Sequence, residues 1–201
     1  SFHNVDTTKQ RLDSVHVYSN MARLGRIRLM ENTIKKFLKN LKRKDSELFK
    51  STISDEIKDR YFSSKKGNYF GQIKPSETEN TLKSLAELMN ELLLKFEKIE
   101  LVQTMNSYKL MKKVFSEQCE INEDKVVVVK LAKEVKADSI QNPSDPDAGY
   151  DSHKGQGFQT QMMETYSEQK ETPDKQTLNL ITYVATESAA IHDSHALEPA
   201  L

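Results

Sequence analysis

Cysteine is nearly absent from this chain of 201 residues. The single thiol, Cys119, excludes an internal disulfide and points to a reducing compartment. Long apolar runs are missing too. The longest purely aliphatic stretch is Val126-Val127-Val128-Val129, far short of the roughly 20 residues a membrane span requires. Charge of one sign is also lacking, since 30 Lys and Arg meet 30 Asp and Glu. Hydrophobic residues make up 36% and aromatics 7%, which is polar for a globule but too apolar and too balanced for a disordered chain. The opening Ser1-Phe2-His3 lacks an initiator Met, a basic segment and an apolar segment. It reads as neither a native start nor a signal peptide, and suggests a piece of something longer.

The neutral total averages over unlike segments. Residues 21–50 carry ten basic groups against three acidic ones, a net of +7. Residues 137–201 carry three lysines against eleven acidic groups, a net of −8. Such asymmetry means that separate parts of the chain face different partners, or each other.

The pattern of elements is mixed. Arg11–Tyr18 is rich in β-branched and aromatic residues and predicts a short strand. Met21, Leu24, Ile27, Met30, Ile34, Phe37, Leu38 and Leu41 then recur at steps of three and four, an amphipathic helix with its bases mostly on the other face. Lys65-Lys66-Gly67-Asn68 reads as a loop. Ser76 with Glu79 three positions on predicts a capping box ahead of the helical run Leu82–Ile99. Helix continues through Met105, Tyr108, Met111, Val114 and Phe115 to about Glu117. After Asn122, Val126–Lys130 looks extended and Asn142–Gly149 is dense in turn formers. Phe158–Thr165 and Leu178–Thr186 read as strands, with a loop at Thr172-Pro173-Asp174-Lys175 between them.

Candidate chemistry is sparse. Gly155-x-Gly157 lacks the third glycine and the following helix of a nucleotide loop, so a turn into a strand is the simpler reading. His192 and His195 could share one helix face as metal ligands, but two ligands are too few for zinc, and Asp193 as a helix cap is the plainer alternative. Cys119 reads as a packed thiol. The basic face of residues 23–44 reads either as a solvated helix surface or as a footprint for tracking phosphates. Asp13, mid-strand between Leu12 and Ser14, is costly unless a metal, a donor or solvent exposure satisfies it.

Two stretches add weight to Asp13. Arg11–Met21, followed by Leu24-Gly25-Arg26, resembles the first catalytic-aspartate segment of bacterial insertion-sequence transposases of the DDE type. Gln141–Tyr150, with its Asp145-Pro146-Asp147-Ala148 element, and His153–Gln159 are similar to a later block of the same family. Leu180–Val184 and His192–Leu197 resemble the strand and helix start that come after that block, while residues 21–117 match more loosely.

The resemblance implies a mixed α/β fold: a partial RNase H-like core with a large, mostly helical insertion after the first strand. Residues 1–20 would be the first core strand, 21–124 the basic helical insertion, and 125–201 the continuation of the core. It further implies two Mg²⁺ or Mn²⁺ ions held by three carboxylates, with Asp13 as the first catalytic and metal-binding one. The second and third would lie beyond the end of this chain. Its partner would be transposon-end DNA, the full-length protein would be a homodimer, and its place the bacterial cytoplasm. Arg23, Arg26, Lys35, Lys36, Lys39, Lys42, Arg43 and Lys154 are the candidate DNA contacts. Two other readings stay open: a non-catalytic DNA-binding or regulatory remnant, and a helical interaction module with Leu82–Phe115 as an oligomer seam. One carboxylate of three cannot hold two ions, so this polypeptide alone is expected to leave supercoiled DNA uncut with Mg²⁺. Turnover in a nicking assay, abolished by Asp13→Ala, would overturn that expectation.

Overall fold

The amphipathic stripe after the first strand folds as α1 (Arg26–Lys44), and the stripe decides what α1 touches. Leu29, Met30, Ile34, Phe37, Leu38 and Leu41 are buried, while eight basic residues against one glutamate share the helix with them. Lys42, Arg43 and Lys44 fill its last turn, where cations oppose the negative end of the helix dipole. The structure is a computed structural model that describes residues 8–19, 25–63, 75–166 and 179–191. It is mixed α/β, and its chain divides into two compact units.

One unit spans residues 23–146 and is helical. Besides α1 it holds α2 (Ser46–Thr52), α3 (Asp55–Phe62), α4 (Thr78–Phe96), α5 (Glu100–Gln103) and α6 (Asn106–Gln118). Asp45 ends α1 and caps α2, its carboxylate accepting from the Leu48 N–H at 2.8 Å. Ser54 caps α3 in the same way. The expected capping box at Ser76 does not form. A 3₁₀ turn over Pro75–Glu77 leads into α4 instead, and Glu77 caps it without a side-chain bond. Once that turn is hydrogen-bonded, Ser76 lies a full step before the helix start and cannot reach its free N–H groups.

Phe37 is the centre of this unit. Its ring meets Phe96 of α4 edge to face at 5.5 Å and Tyr108 of α6 at 5.8 Å. Leu85, Met89, Leu92, Met111 and Val114 fill the space around them without solvent exposure. These are the apolar residues that would have formed an oligomer seam; they are consumed by the unit's own core. The unit also runs past the boundary expected at 124. β2 (Cys119–Ile121) pairs antiparallel with β3 (Val127–Val129), and Ile140 is buried in the same core, so the compact unit extends to Pro146.

The other unit contains residues 1–22 and 147–201, and its described strands form one antiparallel sheet. β1 (Gln10–Tyr18) pairs with β5 (Gly155–Thr165) along its whole length, from Gln10 opposite Thr165 to Tyr18 opposite Gly157. On the other side of β5 lie β4 (Gly149–Asp151) and β6 (Ile181–Ser188), with an irregularity between Met163 and Glu164. Leu12, Ser14 and His16 are half-buried on one face of β1, and Arg11, Asp13, Val15 and Val17 are exposed on the other. The loops expected at 65–68 and 172–175 lie outside the described residues.

Gly157 fixes how closely β1 approaches β5, and Gly155 supplies a backbone angle at the start of β5. A Cβ on Gly157 would strike the Val17 carbonyl oxygen, and Gly155 sits at φ +95°, where side chains are strained. Gly157→Ala is therefore expected to destabilise the β1–β5 pairing by about 1–3 kcal/mol. Loss of amide hydrogen-exchange protection across Val15–Ser19 would show it, and wild-type protection in the variant would contradict it.

Candidate functional site

Asp13 stands on the exposed face of β1. One carboxylate oxygen accepts the Ser14 N–H at 2.8 Å, and the residue faces Met162 of β5, which in turn faces Val184 of β6. Solvent exposure removes the burial penalty that a mid-strand aspartate otherwise carries. Its neighbours on that face are committed elsewhere. Arg11 is ion-paired with Glu164 at 2.5 Å, and the Thr160 and Thr186 hydroxyls share a hydrogen bond of 3.1 Å. Among the described residues no three His, Cys, Asp or Glu side chains come together. Asp13 with its surroundings supplies one oxygen ligand, and these residues by themselves do not fit a two-ion centre.

The later polar motif folds as a pair of turns. In the helical unit, the Asn142 carbonyl accepts from Asp145 N–H and its side chain from Ser144 N–H. The Glu117 carboxylate holds the same segment by accepting the Ile140 N–H at 2.9 Å. In the sheet unit, Asp151 accepts the His153 and Lys154 N–H groups, each at 2.7 Å, which turns β4 into β5. Those two bonds hold the Asp151 carboxyl below the usual aspartate range. Gly155-x-Gly157 thus opens a strand, as the turn reading has it. His192, Asp193 and His195 lie outside the described residues.

The candidate DNA contacts separate sharply once placed. Arg23 lies outside the described residues. Arg26 is half-buried, its guanidinium donating to the Gln118 side chain at 2.8 Å and to the Lys130 and Gln118 carbonyls at 2.8 and 3.1 Å. It ties α1 to the β2–β3 hairpin and is not a free phosphate contact. Desolvation pulls its pKa below the ordinary arginine value, with Cys119 acting the other way. Lys42 lies over the rings of Phe62 and Phe49, at 5.0 and 5.8 Å. Lys36 donates to the Pro143 carbonyl. Lys154, exposed, belongs to the sheet unit.

Lys35, Lys39 and Arg43 remain on the outer face of α1, and Lys44, which the sequence did not single out, joins them. Lys35, Lys36 and Lys39 line a cleft of about 420 Å³ against the Asn142–Ser144 turn. Arg43 and Lys44 line a second, of about 310 Å³, against the start of α6. Asn40 lines both, and no carboxylate lines either. The flanking residues come from segments distant in sequence, so no local signal could have placed them beside α1.

Burial tunes two other groups. Cys119 is buried, and its thiol is pushed up to about 11, so it stays protonated and unreactive near neutral pH. Glu31, half-buried on α1, is raised by desolvation, which Lys35, Arg60 and Arg28 partly oppose. Among the described residues no helix is long and apolar enough to cross a membrane. Comparison with protein-family models, with curated proteins and with solved structures finds no match.

A glutamate with a raised folded-state pKa binds more protons native than unfolded. Its contribution is complete below the ordinary glutamate value of about 4.3 and is lost as pH rises through the raised one. Glu31→Gln is thus expected to flatten the fall in melting temperature as pH rises above the ordinary glutamate value. Parallel wild-type and variant curves would contradict it.

Proposed function

We propose that this chain is part of a DDE-type transposase. The sheet unit is read as the opening of an RNase H-like core, and the helical unit as an insertion between its first strand and the next. The single observation that carries the reading is Asp13, the aspartate that the motif resemblance singles out. It stands mid-strand with its carboxylate open to solvent and accepting the N–H of its own neighbour, Ser14. A divalent ion favours such a position, because a carboxylate on a rigid strand needs little reorganisation to bind it.

The order of the strands leaves an edge for what the reading requires. β5 is paired on both sides, so among the described strands a further one can join at the outer edge of β1, beside Asp13, or at the β4 and β6 edge. The mixed sheet of an RNase H-like core requires a parallel pair, and every described pair here is antiparallel. A strand added at the β1 edge would stand next to Asp13. The chemistry of the class is phosphodiester hydrolysis and strand transfer supported by Mg²⁺ or Mn²⁺; Asp13 is the one residue here assigned to hold an ion. The second reading, a DNA-binding remnant without chemistry, is favoured by the carboxylate-free basic clefts on α1.

Mn²⁺ separates the two readings. With Asp13 as a metal ligand, low-millimolar Mn²⁺ broadens the amide resonances of Asp13 and Ser14, and Asp13→Asn abolishes the effect. Broadening that spares β1, or persists in the variant, would leave the non-catalytic reading standing.

A further inference from the structure

The start of α6 is built like an anion site, and two observations independent of each other meet there. The first is the helix terminus. Its cap residue is Met105, which offers no side-chain acceptor, and its first turn holds no acidic residue. Tyr108 and Lys109 donate back to the Met105 carbonyl, whereas the Asn106 and Ser107 N–H groups have no acceptor among the described residues. Unpaired N–H groups and the positive end of the dipole favour an anion at such a place.

The second observation is Ser107 itself. It is 2% exposed, and its hydroxyl is buried with no hydrogen-bond partner. A buried hydroxyl is normally satisfied, so an orphaned one in the wall of a cleft marks a missing acceptor. The cleft it helps to line, about 310 Å³ in volume, also contains Arg43 and Lys44 and no carboxylate.

We propose that a phosphate group of a nucleic-acid backbone binds here, held by the Asn106 and Ser107 N–H groups, the Ser107 hydroxyl, Arg43 and Lys44. Each of these is a donor, and an oxyanion with several acceptor oxygens is the ligand that can satisfy them together. The charges of Arg43 and Lys44 also oppose the dipole of α1, but that role asks for no orphaned donors on α6. The site continues along α1. Lys39 and Lys35 recur one turn apart towards the second cleft, so cations repeat about every 6 Å along the helix. A polymer of phosphates suits that row better than a single ion does. The contacts reach backbone only, so binding is independent of sequence. The choice of nucleic acid over a free anion rests on the proposed function; the site at α6 does not.

The test titrates the isotopically labelled full chain with a short DNA duplex of arbitrary sequence and, separately, with inorganic phosphate. Duplex is expected to shift the Asn106 and Ser107 amide resonances, and phosphate to shift the same pair more weakly. Ser107→Ala is expected to weaken duplex binding several-fold while melting like wild type. The Arg43→Gln/Lys44→Gln double variant should lower the slope of log affinity against log salt by about 1.8, two phosphate contacts at about 0.9 each. The variant's circular dichroism melt shows that it is folded. Amides that stay still under duplex, or a variant slope equal to wild type, overturn the proposal. A response to inorganic phosphate without any to duplex also overturns it. The Mn²⁺ response is read at Asp13 and Ser14 on β1 and the duplex response at Asn106 and Ser107 on α6, so a failure at Asp13 and a failure at α6 are read apart.

Discussion

Phe37 is the contact on which the helical unit depends. By packing against Phe96 and Tyr108 it joins the three longest helices, and it fixes the rotation of α1 about its own axis. An aromatic cluster of this kind is worth several side-chain burials, and truncating its central ring costs about 3–5 kcal/mol. With that face turned inward, the lysines and arginines of α1 have no place but its flanks and outer face. The basic surface is thus a consequence of the core, before any partner is considered.

Where each cation falls along and around the helix then decides its work. Arg26, at the first turn, meets the hairpin after α6 and is drawn into three hydrogen bonds. Lys42 leans over the rings of Phe62 and Phe49 beside the short helices α2 and α3. Lys35, Lys39 and Arg43 occupy the sector left between those two, while Lys44, about five turns on from Arg26 and on the same side, meets the start of α6 where Arg26 meets the hairpin. Walls without carboxylates keep the positive potential undiluted, which a chain of zero net charge would not suggest.

Much of this was legible in the sequence, and the remainder was hidden for physical reasons. The period of Met30, Ile34, Phe37, Leu38 and Leu41 announces α1, and the β-branched content of Arg11–Tyr18 announces β1. The Gly155-x-Gly157 turn and the packed Cys119 also arise from local chemistry. The capping box failed because a 3₁₀ turn competed for the same backbone groups. The boundary at 124 fell short because β3 and Ile140 owe their place to partners elsewhere in the unit. Arg26 was indistinguishable from its neighbours, since its partners Gln118 and Lys130 are distant in sequence, 92 and 104 positions on. The orphaned Ser107 hydroxyl leaves no mark in sequence at all. Asp13 is the opposite case: its placement on a strand was readable, whereas its exposure depended on which face of the sheet is left open.

Position along and around α1, and not charge alone, separates the cations that hold the fold from those assigned to the proposed nucleic-acid site. Measuring melting temperature and duplex affinity together, for single Gln replacements of Arg26, Lys39, Lys42, Arg43 and Lys44, tests it most directly. Arg26→Gln and Lys42→Gln are expected to lower the melting temperature with little change in affinity. Lys39→Gln, Arg43→Gln and Lys44→Gln weaken binding with little change in melting. Equal losses of affinity at all five positions would contradict it.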